Sequence, residues 1–211
     1  MEKLYKIGWC TMLAAMAGDL LVSWILSLFY NGYSSAKMSI SALGNPQSPV
    51  RFAFNVWMFV EGILFLISIP ALYNCYHKIS GGITYTMLVF IAVFAVGACI
   101  FTSFFSVNES KEVVTAASKI HGAASVIGFM LFLFVPLHVA LLSFKGEERA
   151  LGIISILCFV IAMIFFVLFV MSDKPEFAET AIANEGLWQR LNLLFMYLPL
   201  GIVAVKRLAG F

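Results

Sequence analysis

Six long apolar runs, separated by short polar stretches, dominate the pattern of hydrophobic and polar positions along the chain. Each run holds about 20 residues, the length that an α-helix needs to cross a hydrocarbon layer about 30 Å thick. Lipid offers the backbone no hydrogen-bonding partner, so each run is expected to be a helix. The predicted spans are residues 7–30, 52–76, 83–105, 119–144, 150–171 and 187–205. We expect Pro136 to break the fourth.

This pattern predicts an all-α fold, a polytopic bundle of six transmembrane helices that forms one domain over residues 1–211. The composition also indicates a membrane protein. In this chain 62% of the residues are hydrophobic and 11% are charged, whereas soluble domains carry about 25% charged residues. The formal net charge is +2 and no basic tract is present, so no nucleic-acid partner is expected. We expect a multi-pass protein of the cell membrane whose partners are the membrane lipids.

The charges between the spans indicate an orientation. The termini and the two short connections carry Lys3, Lys6, Lys78, Lys145, Arg149, Lys206 and Arg207. The opposite side carries Lys37, Arg51, Lys111, Lys119, Lys174 and Arg190, together with most of the acids, which are Glu109, Glu112, Asp173, Glu176, Glu179 and Glu185. Positive charge on short connections marks the cytoplasmic side most strongly. Both termini are therefore predicted to be cytoplasmic.

The first loop on the predicted outer side, residues 31–50, has an unusual composition. Its sequence, NGYSSAKMSISALGNPQSPV, is rich in Ser, Gly, Asn and Pro, with small apolar residues between them. Pro46 and Pro49 end any helix in this loop. We expect the loop to lie on the membrane surface or to fold back into it.

Two carboxylic acids fall inside the predicted spans. Asp19 begins a stripe with Ser23 and Ser27, and it should lie about 16–18 Å from either end of the first span. Glu61 lies about 14 Å into the second span. Ionisable groups are costly within a membrane, usually face the bundle interior and often mark function. Both residues are therefore candidate acid–base groups, and one proton shared between them is a possible arrangement.

Further polar residues cluster at the outer ends of the other spans, whereas the inner halves are mostly apolar. His121 opens the fourth span and is a third candidate acid–base group. The candidate ligand-binding residues are Arg51 and Asn55 of the second span and Gln189, Arg190, Asn192 and Tyr197 of the sixth. Together these positions predict a polar cavity that opens toward the outer side, with the two carboxylic acids at its floor. The guanidinium of Arg190 would suit a carboxylate or phosphate.

Each candidate also has a structural alternative, and the sequence leaves these open. Arg190 would simply extend to the lipid head groups while Trp188 joins the aromatic belt. His121 would cap a helix or lie at the interface. Asp19 and Glu61 would form a polar lock between the first two helices.

Other chemistries find little support. The three histidines are scattered and form no metal-binding spacing, so no metal site and no cofactor are predicted. The four cysteines lie singly inside apolar runs and are expected to be small core residues.

Several short motifs resemble a known family. They are Ser41-Ala42-Leu43-Gly44, Asn55, Gly62, Phe105, His121-Gly122 and Gly186-Leu187-Trp188-Gln189-Arg190. In this spacing the chain resembles the six-helix prokaryotic membrane family catalogued as domain of unknown function 998, over nearly its whole length. The family often has an acidic residue just after the Phe that closes the third helix, whereas this chain has Ser106 and Asn108 there. The resemblance implies a six-helix membrane fold and supplies no activity.

The sequence leaves three classes of function open. The outer polar cavity favours a protein that binds a lipid-like or small amphipathic ligand, with or without acid–base conversion of that ligand. A proton- or cation-coupled transporter would use Asp19 and Glu61 as a relay. A non-catalytic membrane partner or sensor subunit would pack against another protein, for example through Ala14 and Gly18.

Overall fold

The computed structural model describes residues 2–108 and 114–210. Six helices in this part of the chain are long and apolar enough to cross a membrane. They are α1 (Glu2–Ser27), α2 (Arg51–Tyr76), α3 (Gly81–Phe104), α4 (Ala116–Lys145), α5 (Arg149–Met171) and α6 (Glu185–Leu208). The described residues contain no strand, so the predicted all-α, six-helix architecture is confirmed. Glu109, Lys111 and Glu112, which entered the charge comparison, lie outside the described residues.

The first helix differs most from its prediction, because it begins at Glu2 and ends at Ser27. Glu2 and Lys6 form an ion pair along this first part of the helix, with an N–O distance of 3.1 Å. Asp19 consequently lies about 12 Å from Ser27, at the end of α1 that the sequence predicts to be the outer one. The predicted 16–18 Å was wrong, and Asp19 lies in the outer part of the span.

Helix α4 is interrupted, as predicted, but earlier than at the proline itself. Its outer half is Ala116–Phe132 and its inner half is Val135–Lys145. Pro136 lacks the N–H that would bond to the Phe132 carbonyl, and its ring disfavours a helical residue before it. The interruption therefore falls at residues 133–134. Helix α3 contains a π-helical segment, Phe94–Phe101, that the sequence pattern did not reveal.

The helices pack in chain order around a closed ring, with α6 returning to α1. Helices α1 and α2 approach closely at glycines, where a Cβ atom on Gly18 would lie 2.2 Å from the Trp57 ring. The outer half of α4 packs on α3, and its inner half packs on α5. In the part of the chain that the structure describes, the outer half of α4 therefore does not pack closely on the outer part of α5.

A layer of aromatic rings fills the bundle below its outer part. Phe65 packs edge-on against Phe94 and Phe132, with ring centroids 5.6 and 5.8 Å away. Tyr197 joins them at 5.6 Å from Phe132. The three phenylalanine side chains are almost completely buried. This aromatic layer therefore separates the inner half of the bundle from its outer part.

The loop between α1 and α2 folds back against the bundle. It forms a short 3-10 helix, Ile40–Gly44, whose Ile40 and Leu43 side chains are buried. This turn contacts α1, α2 and α6. The loop thus covers part of the outer end of the bundle.

Candidate functional site

A cavity of about 530 Å³ lies inside the outer part of the bundle. All six helices and the α1–α2 loop contribute to its wall. Most of the lining is apolar and aromatic, and it includes Phe94, Phe129 and Phe166. The polar lining residues are Asp19, Ser39, Ser41, Glu61, Thr102, His121, Ser125, Glu185 and Gln189. Asp19 and Glu61, which the sequence predicts at the floor of a polar cavity, both line this space, whose wall is mostly apolar.

Asp19 and Glu61 both line the inner end of the cavity, but they are bonded differently. The Tyr197 hydroxyl donates a hydrogen bond of 2.7 Å to Asp19 Oδ2. Glu61 is completely buried, and neither of its carboxyl oxygens has a hydrogen-bonding partner among the described residues. The Cys99 thiol is its polar neighbour, and a thiol is only a weak donor. A buried carboxyl group without partners costs free energy, more when it is charged than when it is neutral, and a ligand that bonds to it would remove part of that cost.

His121 lies at the opposite, outer end of the cavity. Its Nδ1 is 2.7 Å from the Phe105 carbonyl oxygen. Because a carbonyl oxygen only accepts, Nδ1 carries the proton and Nε2 is left as an acceptor in the neutral ring. Nε2 has no other partner in the described part of the chain, so the side chain can bond to a ligand in the cavity.

Gln189 connects the rim of the cavity to the loop. Its Oε1 accepts a 2.7 Å hydrogen bond from the Ile40 backbone N–H. The amide NH₂ group keeps its two donors for other partners. Ser39 and Ser41, whose hydroxyl oxygens are 3.2 Å apart, lie beside this contact and line the same part of the cavity.

Arg190 does not line the cavity and instead holds the loop. Its Nη1 donates to the carbonyl oxygens of Ser35, at 2.7 Å, and of Met38, at 3.3 Å. It also donates to the Gly186 carbonyl oxygen of its own helix at 3.0 Å. Its Nη2 donates to the Tyr33 hydroxyl at 2.8 Å. Both terminal guanidinium nitrogens therefore take part in hydrogen bonds. Arg190 holds the α1–α2 loop against the start of α6.

The Tyr33 hydroxyl connects Arg190 to the backbone of the loop. It donates to the Ser39 carbonyl oxygen at 2.8 Å while it accepts from Arg190. Burial raises the pKa of Tyr33 above its usual value of 10.0, and this outweighs the opposing effect of the Arg190 charge. The hydroxyl therefore stays protonated at neutral pH and keeps its donor role.

Two glycines let the loop approach the helices. A Cβ atom on Gly186 would lie 2.1 Å from the Met38 carbonyl oxygen and 2.5 Å from that of Ser35. A Cβ atom on Gly44 would lie 2.9 Å from Asn55 Oδ1. All of these distances are too short for a real side chain. Two of the motifs noted in the sequence, at 41–44 and 186–190, thus meet at the docked loop.

The remaining candidate residues lie elsewhere. Asn192 donates to the Ala162 carbonyl oxygen at 2.8 Å and joins α6 to α5. Arg51 and Asn55 line a separate, open groove of about 620 Å³ beside Phe59 and Phe104. The structure therefore brings Asp19, Glu61, His121 and Gln189 together in one cavity, with Tyr197 attached through Asp19. It places Arg190, Asn192, Arg51 and Asn55 outside the lining.

Sequence reasoning overlooked part of this site. Ser39 and Ser41 reach the cavity only because the loop folds back, and its unusual Ser-rich composition was the available signal. Cys99 was interpreted as a core residue, and nothing in its sequence context distinguishes its position beside Glu61. In residues 2–108 and 114–210, no three His, Cys, Asp or Glu side chains come together in a way that could hold a metal ion.

The fold and the membrane-spanning lengths of its helices define a multi-pass membrane protein. The chain belongs to the family described as protein of unknown function (DUF998), whose family model matches residues 13–206. The resemblance recognised in the sequence is thereby confirmed. No curated protein and no solved structure matches the chain. Because the family description assigns no activity, the function has to be inferred from the geometry of the cavity.

Proposed function

We propose that the cavity binds an amphipathic, lipid-like molecule. One observation carries this proposal, namely a mostly apolar space of about 530 Å³ with polar groups at its two ends. Small-molecule sites typically have volumes of about 300–1,000 Å³ and few polar groups that fix orientation. His121 and Gln189 would bind the head group, and the phenylalanine-rich wall would contact the hydrocarbon part.

The charges of the lining favour a head group without negative charge. The described lining residues include Asp19, Glu61 and Glu185 but no lysine or arginine. The described lining thus offers an anionic head group no lysine or arginine with which to form an ion pair. A hydroxyl- or amine-bearing head group can instead donate hydrogen bonds to carboxyl groups and to His121 Nε2. Arg190, predicted to hold a carboxylate or phosphate, is occupied by the loop.

Acid–base conversion of the bound molecule is the second part of the proposal. Glu61 has no hydrogen-bonding partner among the described residues and lines the cavity. In its neutral form it can donate a proton to a ligand, as in isomerisation, cyclisation or hydrolysis of a lipid. Asp19, held by Tyr197, lies close enough for the charges of the two carboxyl groups to interact. Asp19 is then the partner through which the proton on Glu61 is replaced.

The alternative functions gain no specific support. A transporter that uses these acids as a relay would need polar groups to continue inward, and the described side chains below the floor include the fully buried Phe65, Phe132 and Leu200. We further propose that the protein lies in the cell membrane with both termini cytoplasmic and that residues 1–211 act as one domain. The short, positively charged connections support this orientation.

Native mass spectrometry of the purified protein in mild detergent tests ligand binding. Gly122→Phe fills the cavity, because Gly122 lines it and a Cβ atom there meets nothing within 4 Å. Gly82→Phe is the control, since Gly82 is also helical and equally open but does not line the cavity. We expect an amphipathic species to co-purify with the wild-type protein and the control and to be lost from Gly122→Phe. The same lipids in all three proteins would contradict the proposal.

The acid–base part has its own test. We expect Glu61→Gln and Asp19→Asn to retain the bound species, because both amides preserve the shape of the cavity. Both variants should stop any conversion of that species, measured as the ratio of product to precursor in the bound fraction. If binding and conversion survive both substitutions, the acid–base role is wrong and ligand binding stands.

A further inference from the structure

We infer that the ligand is a lipid of the surrounding bilayer that slides into the cavity sideways, through a slot between the outer half of α4 and α5. This inference rests on the proposed function and adds the source of the ligand and its route. In this arrangement the head group lies at the level of His121, the near part of the hydrocarbon chain contacts the phenylalanine-rich wall, and its far part extends through the slot into the bilayer.

The packing of the helices leaves room for such a slot. The outer half of α4, Ala116–Phe132, packs on α3, and α5 packs on α6 and on the inner half of α4. The interruption at residues 133–134 separates the two halves of α4 and lets them follow different neighbours. Among the described residues, the outer half of α4 therefore has no close helical partner on its α5 side.

The residues along the two edges of this gap belong both to the cavity and to the lipid-facing surface. Val126 and Met130 on α4 line the cavity and are 55% and 49% exposed. Val170 on α5 lines it and is 51% exposed. Side chains that line a cavity and also retain half of their exposure mark the edges of an opening. Because the opening faces the side of the bundle, the surrounding medium there is lipid.

The depth and chemistry of the slot fit an acyl chain. Val126 and Met130 lie about 7.5 and 13.5 Å inward of His121 along α4. The edges at that depth are apolar, with Phe169 beside Val170 on the α5 side. A lipid standing upright in the bilayer would therefore place its head at His121 and its chain between these edges. The orientation of the molecule need not change on binding.

The size of the cavity also supports a lateral opening. A volume of about 530 Å³ is typical of sites that enclose a drug-sized ligand, and a membrane lipid with two chains is larger than such a ligand. A closed cavity of this size would exclude such lipids, whereas an open slot lets the chains remain in the bilayer. The lateral opening thus widens the range of ligands from single-chain amphiphiles to two-chain lipids whose head group carries no negative charge.

Photo-crosslinking in nanodiscs tests this route. The probe is a monoacylglycerol with a diazirine in its acyl chain, and peptide mass spectrometry locates the adducts. Val126→Trp narrows the slot. Ile127→Trp is the matched control, because Ile127 is the next residue, is 56% exposed and does not line the cavity. Adducts are followed with time at the edge residues 126–130 and 166–170 and at the interior residue Phe94.

We expect adducts at both edges and at Phe94 in the wild-type protein and the control. Val126→Trp should slow the appearance of the Phe94 adduct about tenfold. Equal rates in both tryptophan variants would overturn the lateral route while the interior adduct still supported the proposed binding. Absence of any Phe94 adduct from all three proteins, with adducts only on the outer surface, would contradict the binding itself and the route with it.

Discussion

At the scale of single residues, the informative feature is that two buried carboxyl groups differ in their hydrogen bonds. Asp19 accepts a hydrogen bond from Tyr197, whereas the described residues provide Glu61 with no such partner. The sequence identified both acids because ionisable residues inside an apolar run are costly. It did not identify the bond between Asp19 and Tyr197, since residues so distant in sequence meet only through the packing of α1 on α6.

The Asp19–Tyr197 bond predicts coupled effects on stability. We expect Asp19→Ala and Tyr197→Phe each to lower the free energy of unfolding by about 1–3 kcal/mol, because each leaves a buried polar group unpaired. The double variant should lose less than the sum of the two, since removing both partners leaves nothing unpaired. Unfolding by denaturing detergent, followed by circular dichroism, measures all four proteins of this cycle. Strictly additive losses would show that the two groups do not interact.

At the scale of elements, the outer loop and the start of α6 form one unit. Arg190 binds two loop carbonyl oxygens and Tyr33, and Gln189 binds the Ile40 N–H. The sequence placed these polar residues at a rim, and the composition of the loop indicated that it lies on the membrane surface or folds back. The sequence could not show the hydrogen-bonding partners of Arg190 and Gln189, because most of these partners are backbone carbonyl groups, which every residue possesses.

Gly186→Ala tests this unit without changing a polar side chain. The added Cβ atom would meet two loop carbonyl oxygens at 2.1 and 2.5 Å, so the loop must move away. Gly201→Ala is the control on the same helix, since its Cβ atom meets only Met16 Cε at 4.0 Å. We expect protease cleavage within residues 31–50 to be at least tenfold faster in Gly186→Ala than in the control. Similar cleavage rates would mean that the loop does not need this close approach.

At the scale of the whole molecule, hydrophobic length predicted the architecture well. Five of the six spans were placed within a few residues, because about 20 apolar residues are needed to cross the membrane and polar loops limit them. The start of α1 was missed because its first residues, EKLYK, are mostly charged and the span was predicted from apolar residues alone. The π-helical segment of α3 and the gap between α4 and α5 depend on how helices pack, and no hydrophobic pattern encodes that.

The proposed orientation makes a whole-molecule prediction. Cysteine substituted for Lys78, in the α2–α3 turn, should be inaccessible to an impermeant maleimide in intact cells, because that turn is proposed to be cytoplasmic. Cysteine substituted for Gln47, in the α1–α2 loop, should be labelled under the same conditions. The reverse pattern would invert the orientation and place the open end of the cavity toward the cytoplasm.

The central claim is that an amphipathic molecule occupies the cavity between His121 and Glu61. The most direct measurement is a crystal structure from crystals grown in a lipid phase that contains a lipid brominated in its acyl chain. Anomalous scattering then locates the bromine atoms. We predict a bromine peak inside the cavity or in the slot between α4 and α5, with head-group density beside His121. Bromine peaks confined to the outer surface of the bundle, with the cavity filled by water or closed by its own side chains, would contradict this claim.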